Sequence, residues 1–166
     1  RHLQQTKFPF KPHQEKAVQW MLQKERHTKY KGGIIADDPG LGKTVQTIGI
    51  ILANPVNYTL IIVPTSVLNQ WRDILEHVFG KKSIYIHYGT KRAQTNMELL
   101  HLLSEVKIVL TSYGLLSNPL NKHDTHTMLH SVSWNRVVLD EGHLIRNPKT
   151  LSHRMAADLQ STFRWI

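Results

Sequence analysis

The stretch GGIIADDPGLGKT, residues 32–44, decides the fold class of this 166-residue chain. A short apolar run at residues 34–36 predicts a strand, and the glycine-containing loop after it leads directly into a helical pattern at residues 43–53. Glycines let such a loop curl so that successive backbone N–H groups point at one anion, and the start of the following helix adds partial positive charge. This order of strand, loop and helix predicts a phosphate-binding site.

Lys43 and Thr44 complete the phosphate-binding pattern at the start of the helix. The Lys43 ammonium is expected at the β- and γ-phosphates of a nucleotide, and the Thr44 hydroxyl at a magnesium ion. The glycine that the full pattern has five positions before Gly42 is replaced by Asp37, and Pro39 removes one backbone N–H. A glycine-rich turn with an incidental lysine is the alternative interpretation. The candidate nucleotide-binding residues of the loop are Asp38, Pro39, Gly40, Leu41, Gly42, Lys43 and Thr44.

The whole chain alternates between strand and helix patterns. Alternation of this kind predicts an α/β fold with a doubly wound parallel sheet and helices on both faces. Ligands bind such sheets at the carboxyl ends of the strands, so functional residues are expected just after strands. The predicted helices are residues 12–26, 43–53, 67–79, 96–103 and 151–160, and the predicted strands are residues 34–36, 59–63, 84–87, 107–111, 136–140 and 163–166.

Two acids, Asp140 and Glu141, follow the apolar run at residues 137–139. In nucleotide hydrolases, an acid at a strand end beside the phosphate loop holds the metal, and a second acid polarises the attacking water. Asp140 is therefore the candidate magnesium residue, and Glu141 is the candidate general base. An apolar strand that ends in two acids is common by itself, so this interpretation depends on the phosphate loop upstream.

The composition favours an intracellular soluble protein of one domain with a polyanion as partner. Lys and Arg number 21 against 12 Asp and Glu, a formal net charge of +9. Such an excess is typical of nucleic-acid-binding proteins, although a merely basic surface is the alternative. The absence of cysteine excludes a disulfide framework and a thiolate metal site. No stretch is apolar enough for a membrane span, and residues 1–16 lack the apolar region of a signal peptide.

Six blocks of sequence occur in an order that resembles a known family. The blocks are FKPHQ (residues 10–14), ADDPGLGKT (36–44), IIVPTSVLNQW (61–71), IHYG (86–89), VLTSY (109–113) and LDEGHLIRNPKT (139–150). Together they resemble the first motor lobe of the Swi/Snf-type ATPases, which belong to helicase superfamily two. The segment PHQEKAVQWMLQKE, residues 12–25, is similar to the subgroup that contains transcription terminators, post-replication repair ATPases and the baculoviral global transactivators.

The resemblance implies that residues 1–166 form a RecA-like, ATP-binding lobe of a DNA-dependent ATPase. Such a protein translocates on double-stranded DNA in chromatin remodelling, transcription or repair. The resemblance further implies ATP and Mg²⁺ as cofactors, a second RecA-like lobe, and action in the nucleus, or in the host nucleus for a viral protein. An RNA helicase of the same superfamily and a nucleotide-gated binding module without turnover are the alternatives.

The resemblance also implies roles for individual residues. Gln14 matches the glutamine that reads adenine, and His143 matches the position that couples the nucleotide site to the DNA-facing motifs. The residues that match the family's catalytic positions are Lys43, Asp140, Glu141 and His143, with Thr44 and Asp140 at the metal. The residues that match blocks at the nucleic-acid groove or its edge are Pro64, Thr65, Ser66, Gly89, Arg92, Thr111, Ser112, Arg146 and Asn147.

A few residues depart from the family pattern. Asp38 and Pro39 stand where glutamate and methionine are usual, and Gly142 replaces the commoner alanine. In this family, the strand at residues 163–166 leads into a small-residue coupling motif and then a second lobe, which supplies arginine fingers. These 166 residues alone are therefore expected to hydrolyse little ATP.

Two further groups of residues are expected to be structural. His123, His126 and His130 with Asp124 contain metal-ligating types, but a solvated connecting segment is favoured over a metal site because no cysteine and no tight histidine pair accompanies them. Trp20, Trp71 and Trp134 lie on or beside apolar stretches and are expected in the core.

Overall fold

Six parallel strands form one sheet in the computed structural model, which describes residues 9–38, 40–90, 92–118 and 126–166. The strands lie in the order β1-β6-β5-β2-β4-β3, and every pair of neighbours is parallel. This confirms the predicted doubly wound α/β fold. The strands are β1 (Gly32–Gly33), β2 (Thr59–Val63), β3 (Ile84–Ile86), β4 (Ile108–Ser112), β5 (Trp134–Leu139) and β6 (Ser161–Trp165).

Helices cover both faces of the sheet. Apolar residues of β2 alternate between two cores: Leu60 and Ile62 pack with residues of the later helices, while Ile61 and Val63 pack with residues of the first three. This alternation explains why β2 is apolar at nearly every position and buried throughout. The helices are α1 (Pro12–His27), α2 (Lys43–Ala53), α3 (Leu68–Phe79), α4 (Asn96–Glu105), α5 (Tyr113–Leu116) and α6 (Leu151–Asp158).

The first strand lies before its predicted position. Residues 34–36 were expected to pair, but the paired residues are Gly32 and Gly33, opposite Arg164 and Trp165 of β6. A Cβ at Gly32 would lie 1.8 Å from the Arg164 carbonyl oxygen, so only glycine allows this approach of the two backbones. Ile34 is 65% exposed. The apolar run at residues 34–36 therefore follows β1 rather than forming it. The other predicted elements differ from those of the structure only by a few residues at their ends.

A buried ion pair joins α1 to β5. Arg136 donates through Nε and Nη2 to the two carboxylate oxygens of Glu25, each at 2.7 Å, and both side chains are fully buried. The Trp165 indole and the Asn54 amide donate to the same carboxylate at 2.9 and 2.7 Å. Four donors thus satisfy one buried acid, although Arg136 Nη1 has no hydrogen-bond partner. The pair fixes the carboxyl end of α1 against the sheet.

The tryptophan prediction is right for two residues and wrong for Trp20. Trp71 and Trp134 are 4% and 1% exposed, whereas Trp20 is 40% exposed. The Trp20 and Trp165 rings pack edge-to-face, with ring centroids 5.5 Å apart, and the Lys24 ammonium lies 5.8 Å from the centroid of the Trp20 ring. Trp20 lies beside Gly33 of β1, the edge strand of the sheet, which is only two residues long, so the sheet leaves much of the side chain exposed.

The histidine cluster falls partly outside the described residues, because His123 and Asp124 are not among them. His126 lies 3.2 Å from Asp158, and its ring packs edge-on against His130. His130 Nε2 is hydrogen-bonded to the Met155 carbonyl oxygen at 2.9 Å. In the part of the chain that the structure describes, no group of three metal-ligating residues is assembled. Within these same ranges, no helix combines the length and apolarity needed to cross a bilayer.

Candidate functional site

The phosphate-binding loop has the backbone that its glycines predict. Gly40 and Gly42 have φ values of 86° and 85°, a left-handed region that costs glycine little. Gly42 is the residue before α2, so the unpaired N–H groups at the start of that helix face the loop. A Cβ at Gly42 would lie 2.5 Å from Gln14 Nε2. Both this steric restriction and the positive φ value therefore favour glycine at the position. Pro39 lies outside the described residues.

Lys43 and Asp37 are joined inside the loop. The Lys43 ammonium donates to the Asp37 backbone carbonyl at 2.7 Å, and the Gln46 amide donates to the Asp37 carboxylate at 2.6 Å. Asp37, which replaces the first glycine of the full pattern, therefore anchors the loop to the first turn of α2. Thr44 follows Lys43 in the first turn and is half-buried. The glycine cradle, the lysine and the helix start fit a nucleotide phosphate chain.

Gln14 is buried and holds the loop from the other side. Its Nε2 donates to the Leu41 carbonyl at 3.2 Å, and its Oε1 accepts from the Lys11 backbone N–H at 2.9 Å. His13 Nε2 also lies 3.1 Å from the Leu41 carbonyl. These contacts hold the start of α1 against the phosphate loop. A position beside this loop is expected of Gln14 if it lies next to the nucleotide. The assignment of Gln14 to the adenine base stays a prediction, and Asp38 shows no contact that tests its role.

Asp140 lies at the end of β5 with two buried hydrogen-bond donors around it. The Trp71 indole N–H donates to Asp140 Oδ2, and the Tyr113 hydroxyl donates to the Asp140 backbone carbonyl, both at 2.7 Å. Burial, together with the neighbouring Glu141 carboxylate, raises the pKa of Asp140 above its ordinary value, and the Trp71 hydrogen bond opposes this. Burial and the two nearby acids also raise the pKa of Tyr113, so its hydroxyl stays a donor. Sequence reasoning placed Trp71 in the core alone and gave Tyr113 no role.

Glu141 occupies a strained turn. Its φ of 54° is left-handed, which is uncommon for a residue with a side chain and often marks a functional position. Its carboxylate lies 3.1 Å from His143 Nδ1, and both side chains are substantially exposed. A Cβ at Gly142 would lie 2.1 Å from Ile166 Cγ2, so the usual alanine would not fit here without a shift of that side chain. The turn thus brings the side chains of Glu141 and His143 close together, and both line the same cavity.

All four candidate catalytic residues line one cavity of about 510 Å³ between the phosphate loop and the acidic pair. Lys43 lies on the loop side, and Asp140, Glu141 and His143 lie on the β5 side. Arg146, which was grouped with the nucleic-acid residues, lines this cavity too. A basic group opposite carboxylates suits a site for an anion and a divalent cation. The cavity brings the four catalytic candidates together, and their individual roles remain predictions. The other described candidates for nucleotide binding are not among its lining residues: Gln14, Asp38, Gly40, Leu41, Gly42 and Thr44.

The nucleic-acid candidates follow the carboxyl ends of four strands, but they divide by exposure. Thr111 and Ser112 are buried: the Thr111 hydroxyl donates to the His87 carbonyl, and the Ser112 hydroxyl accepts from the Leu115 N–H. These two were expected at the groove; the structure shows both hydroxyls in hydrogen bonds inside the lobe, and their place at the groove stays a prediction. Arg92 is half-buried and donates to the Gly89 carbonyl. The exposed candidates are Thr65, Ser66, Gly89, Arg146 and Asn147, with Pro64 half-buried beside them.

His87 is a buried residue that the sequence did not single out. Burial and the positive charge of Arg92 lower the pKa of His87 to about 4, so the ring is neutral near pH 7. Its Nδ1 lies 3.3 Å from the Tyr85 hydroxyl, which accepts from the Ala93 N–H. A histidine within the block IHYG could have been suspected, but its burial depends on the neighbouring strand. The His87 carbonyl accepts from the Thr111 hydroxyl, so this residue links the end of β3 to β4.

The fold and the site together define a RecA-like nucleotide-binding lobe, with a phosphate loop after β1 and an acidic pair after β5. The SNF2-related domain family matches residues 13–166, and the chain belongs to this family. This confirms the resemblance to the Swi/Snf-type ATPases.

Two relatives and one solved structure show how far the similarity extends. The chain is 32% identical to the protein CHROMATIN REMODELING 24 of Arabidopsis thaliana, over 93% of this chain and 15% of that protein. It is 32% identical to the probable global transactivator of Orgyia pseudotsugata multicapsid polyhedrosis virus, over 92% of this chain and 30% of that protein. The Sulfolobus solfataricus SWI2/SNF2 ATPase core in complex with double-stranded DNA superposes with a TM-score of 0.77 at 30% identity, covering 96% of this chain and 32% of that chain. The chain thus spans less than a third of the length of these proteins.

Proposed function

We propose that this chain is the ATP-binding lobe of a DNA-dependent ATPase that translocates on double-stranded DNA. The observation that carries the proposal is the shared cavity, in which Lys43 lies opposite Asp140 and Glu141. Family membership and the similarity to an ATPase core in complex with double-stranded DNA support it. The names of two relatives, a chromatin remodeling protein and a probable global transactivator of a virus, support our proposal that the whole protein acts in the nucleus, or in the host nucleus if it is viral.

The residues of the cavity suit binding and hydrolysis of a nucleotide. The loop N–H groups of residues 40–44 and the Lys43 ammonium bind the phosphates, and the strand-end carboxylate of Asp140 suits Mg²⁺ together with the Thr44 hydroxyl. Bound Mg²⁺ supplies positive charge that offsets the charge of the transferring phosphoryl group. Glu141 orients a water molecule and accepts its proton, and the nearby His143 holds the Glu141 carboxylate in place.

Replacing Lys43 with alanine should lower the affinity for Mg²⁺-ATP at least tenfold, about 1.4 kcal/mol. The reason is the loss of the charge that meets the β- and γ-phosphates. Titration calorimetry measures the effect, and Lys82→Ala is the control, because Lys82 is exposed at the opposite end of the sheet, before β3. Equal affinity of Lys43→Ala and the wild type would refute the nucleotide assignment.

Double-stranded DNA is the proposed partner, bound through its phosphates. The chain carries a net charge of +9, and the exposed Thr65, Ser66, Arg146 and Asn147 follow strand ends on the edge of the sheet where the cavity lies. A second RecA-like lobe of the same protein is the other proposed partner. A nucleotide-gated binding module without turnover and an RNA helicase are the alternatives, and stimulation of ATP hydrolysis by duplex DNA rather than RNA separates them.

Duplex DNA should bind the chain weakly, without sequence preference and with a steep dependence on salt. Phosphate contacts release counterions, so affinity should fall sharply between roughly 50 and 200 mM salt. Fluorescence anisotropy with a labelled duplex measures the slope. Arg146→Ala should reduce that slope by about one, and Lys82→Ala should not change it. Salt-insensitive or sequence-selective binding would speak against a translocase.

A further inference from the structure

We propose that Trp71 and Tyr113 are positioning residues for Asp140, and that they connect the exposed turn after β2 and the end of β4 to the metal-binding carboxylate. The inference rests on the proposed function and deepens it. It starts from the two hydrogen bonds that converge on Asp140, one to its carboxylate and one to its carbonyl, each at 2.7 Å.

The hydrogen bond from Trp71 fixes the carboxylate. An indole N–H can only donate, and Trp71 is 4% exposed, so its ring is held by packing in a single orientation. The bond engages Oδ2, and the Glu141 backbone N–H is a further donor to the same carboxylate. Donation to a charged acceptor is among the stronger hydrogen bonds in proteins. Trp71 therefore sets the rotamer in which Asp140 meets Mg²⁺.

The hydrogen bond from Tyr113 fixes the backbone under the same residue. Tyr113 is the first residue of α5, directly after β4, and its hydroxyl reaches past β2 to the end of β5. The Asp140 N–H donates to the Ile62 carbonyl of β2 at 2.9 Å. Asp140 is thus held on three sides, by α3, α5 and β2, before any ligand is considered.

Trp71 belongs to a helix that begins at an exposed candidate DNA-facing turn, whereas Tyr113 follows the buried end of β4. Trp71 lies in the first turn of α3, which follows the exposed turn Thr65–Val67 without a break. Tyr113 follows Ser112, whose hydroxyl caps α5. A displacement of the turn Thr65–Val67 on DNA binding would move the Trp71 donor, and Asp140 would move with it. This path is separate from the one through His143, which lies on the turn after Asp140.

The test measures how Mg²⁺ changes ATP affinity in the 166-residue chain. ATP binding is titrated by calorimetry with Mg²⁺ and with EDTA, for the wild type, Trp71→Phe and Tyr113→Phe. Phenylalanine keeps an aromatic ring and removes the N–H or O–H donor. Affinity in EDTA should stay within about twofold of the wild type, while the gain on adding Mg²⁺ should shrink about tenfold for Trp71→Phe, as expected for the loss of a hydrogen bond to a charged group. Tyr113→Phe should show a smaller loss in the same direction.

Matched controls separate positioning from packing. Trp134→Phe removes another buried indole donor, the one that bonds the Leu129 carbonyl at 2.9 Å, and Tyr85→Phe removes the hydroxyl that accepts from the Ala93 N–H. Both controls should keep the full Mg²⁺ effect, and thermal unfolding reports the stability of every variant. A wild type without Mg²⁺-dependent ATP binding would refute the proposed function. A wild-type Mg²⁺ effect in both Trp71→Phe and Tyr113→Phe, or an equal loss in Trp134→Phe, would refute the positioning role while leaving the function intact.

Discussion

Phosphate release by residues 1–166 alone should be roughly 10³ to 10⁵ times slower than by the same lobe joined to a second RecA-like lobe, because an arginine finger contributes about that factor to phosphoryl transfer. The family draws its fingers from the second lobe. Three of the seven arginines that the structure describes are held elsewhere: Arg136 is buried against Glu25, Arg164 donates to the Ala156 and Leu159 carbonyls, and Arg92 donates to the Gly89 carbonyl.

Steady-state phosphate release with and without duplex DNA measures this difference. Among the described arginines, Arg146 is the one that lines the cavity, so Arg146→Ala in the isolated lobe is the necessary companion variant. The isolated lobe should remain slow with DNA present, and Arg146→Ala should change its residual rate little. Comparable DNA-stimulated rates in the one-lobed and two-lobed proteins, lost in Arg146→Ala, would mean that this lobe carries its own finger.

Glu141→Gln in the two-lobed protein should retain ATP binding and lose hydrolysis by about 10² to 10⁴-fold, the usual contribution of a general base. The amide has the size of the carboxylate but cannot accept a proton from water. Asp140→Asn should act differently, by weakening the response to Mg²⁺. Rapid phosphate-release assays with a parallel binding titration separate the two effects.

Glu105→Gln is the matched control for Glu141→Gln. Glu105 is exposed at the end of α4, and this substitution removes the same charge without touching the cavity. Its turnover should equal that of the wild type. If Glu141→Gln also turned over at the wild-type rate, another group would be the base, and the left-handed backbone at Glu141 would need a different explanation.

Local sequence patterns were sufficient to predict the structure wherever it is determined by residues close together in the chain. The bounds of α2 and β2 match their predictions, because periodicity and burial on both faces leave clear patterns. The end of β5, which is followed by two acids, could also be predicted, because the strand ends where apolar residues give way to charged residues. The phosphate loop was readable because its glycines must adopt left-handed φ values.

Local sequence patterns could not predict contacts between residues that are far apart in the chain. Trp71 looks like a core residue by its helical spacing, and nothing in that spacing shows that its N–H meets a carboxylate 69 positions later. Thr111 and Ser112 look like polar residues at a strand end, and their burial depends on β3 and α5. The short β1 was misplaced because close backbone pairing, rather than apolar side chains, decides which residues pair there.

The ion pair between Glu25 and Arg136 has a consequence for how the nucleotide site opens. Gln14 and Glu25 lie on the same buried face of α1, near its opposite ends. Detaching α1 from the sheet would leave Arg136 without its counter-charge in the protein interior, so partial opening at this place is energetically close to unfolding of the whole lobe. We therefore expect the end of the site that holds Leu41 through Gln14 to belong to the slowest-exchanging unit of the lobe. In that case, a nucleotide would enter and leave through motion of the loop or the acidic turn, while α1 stays in place.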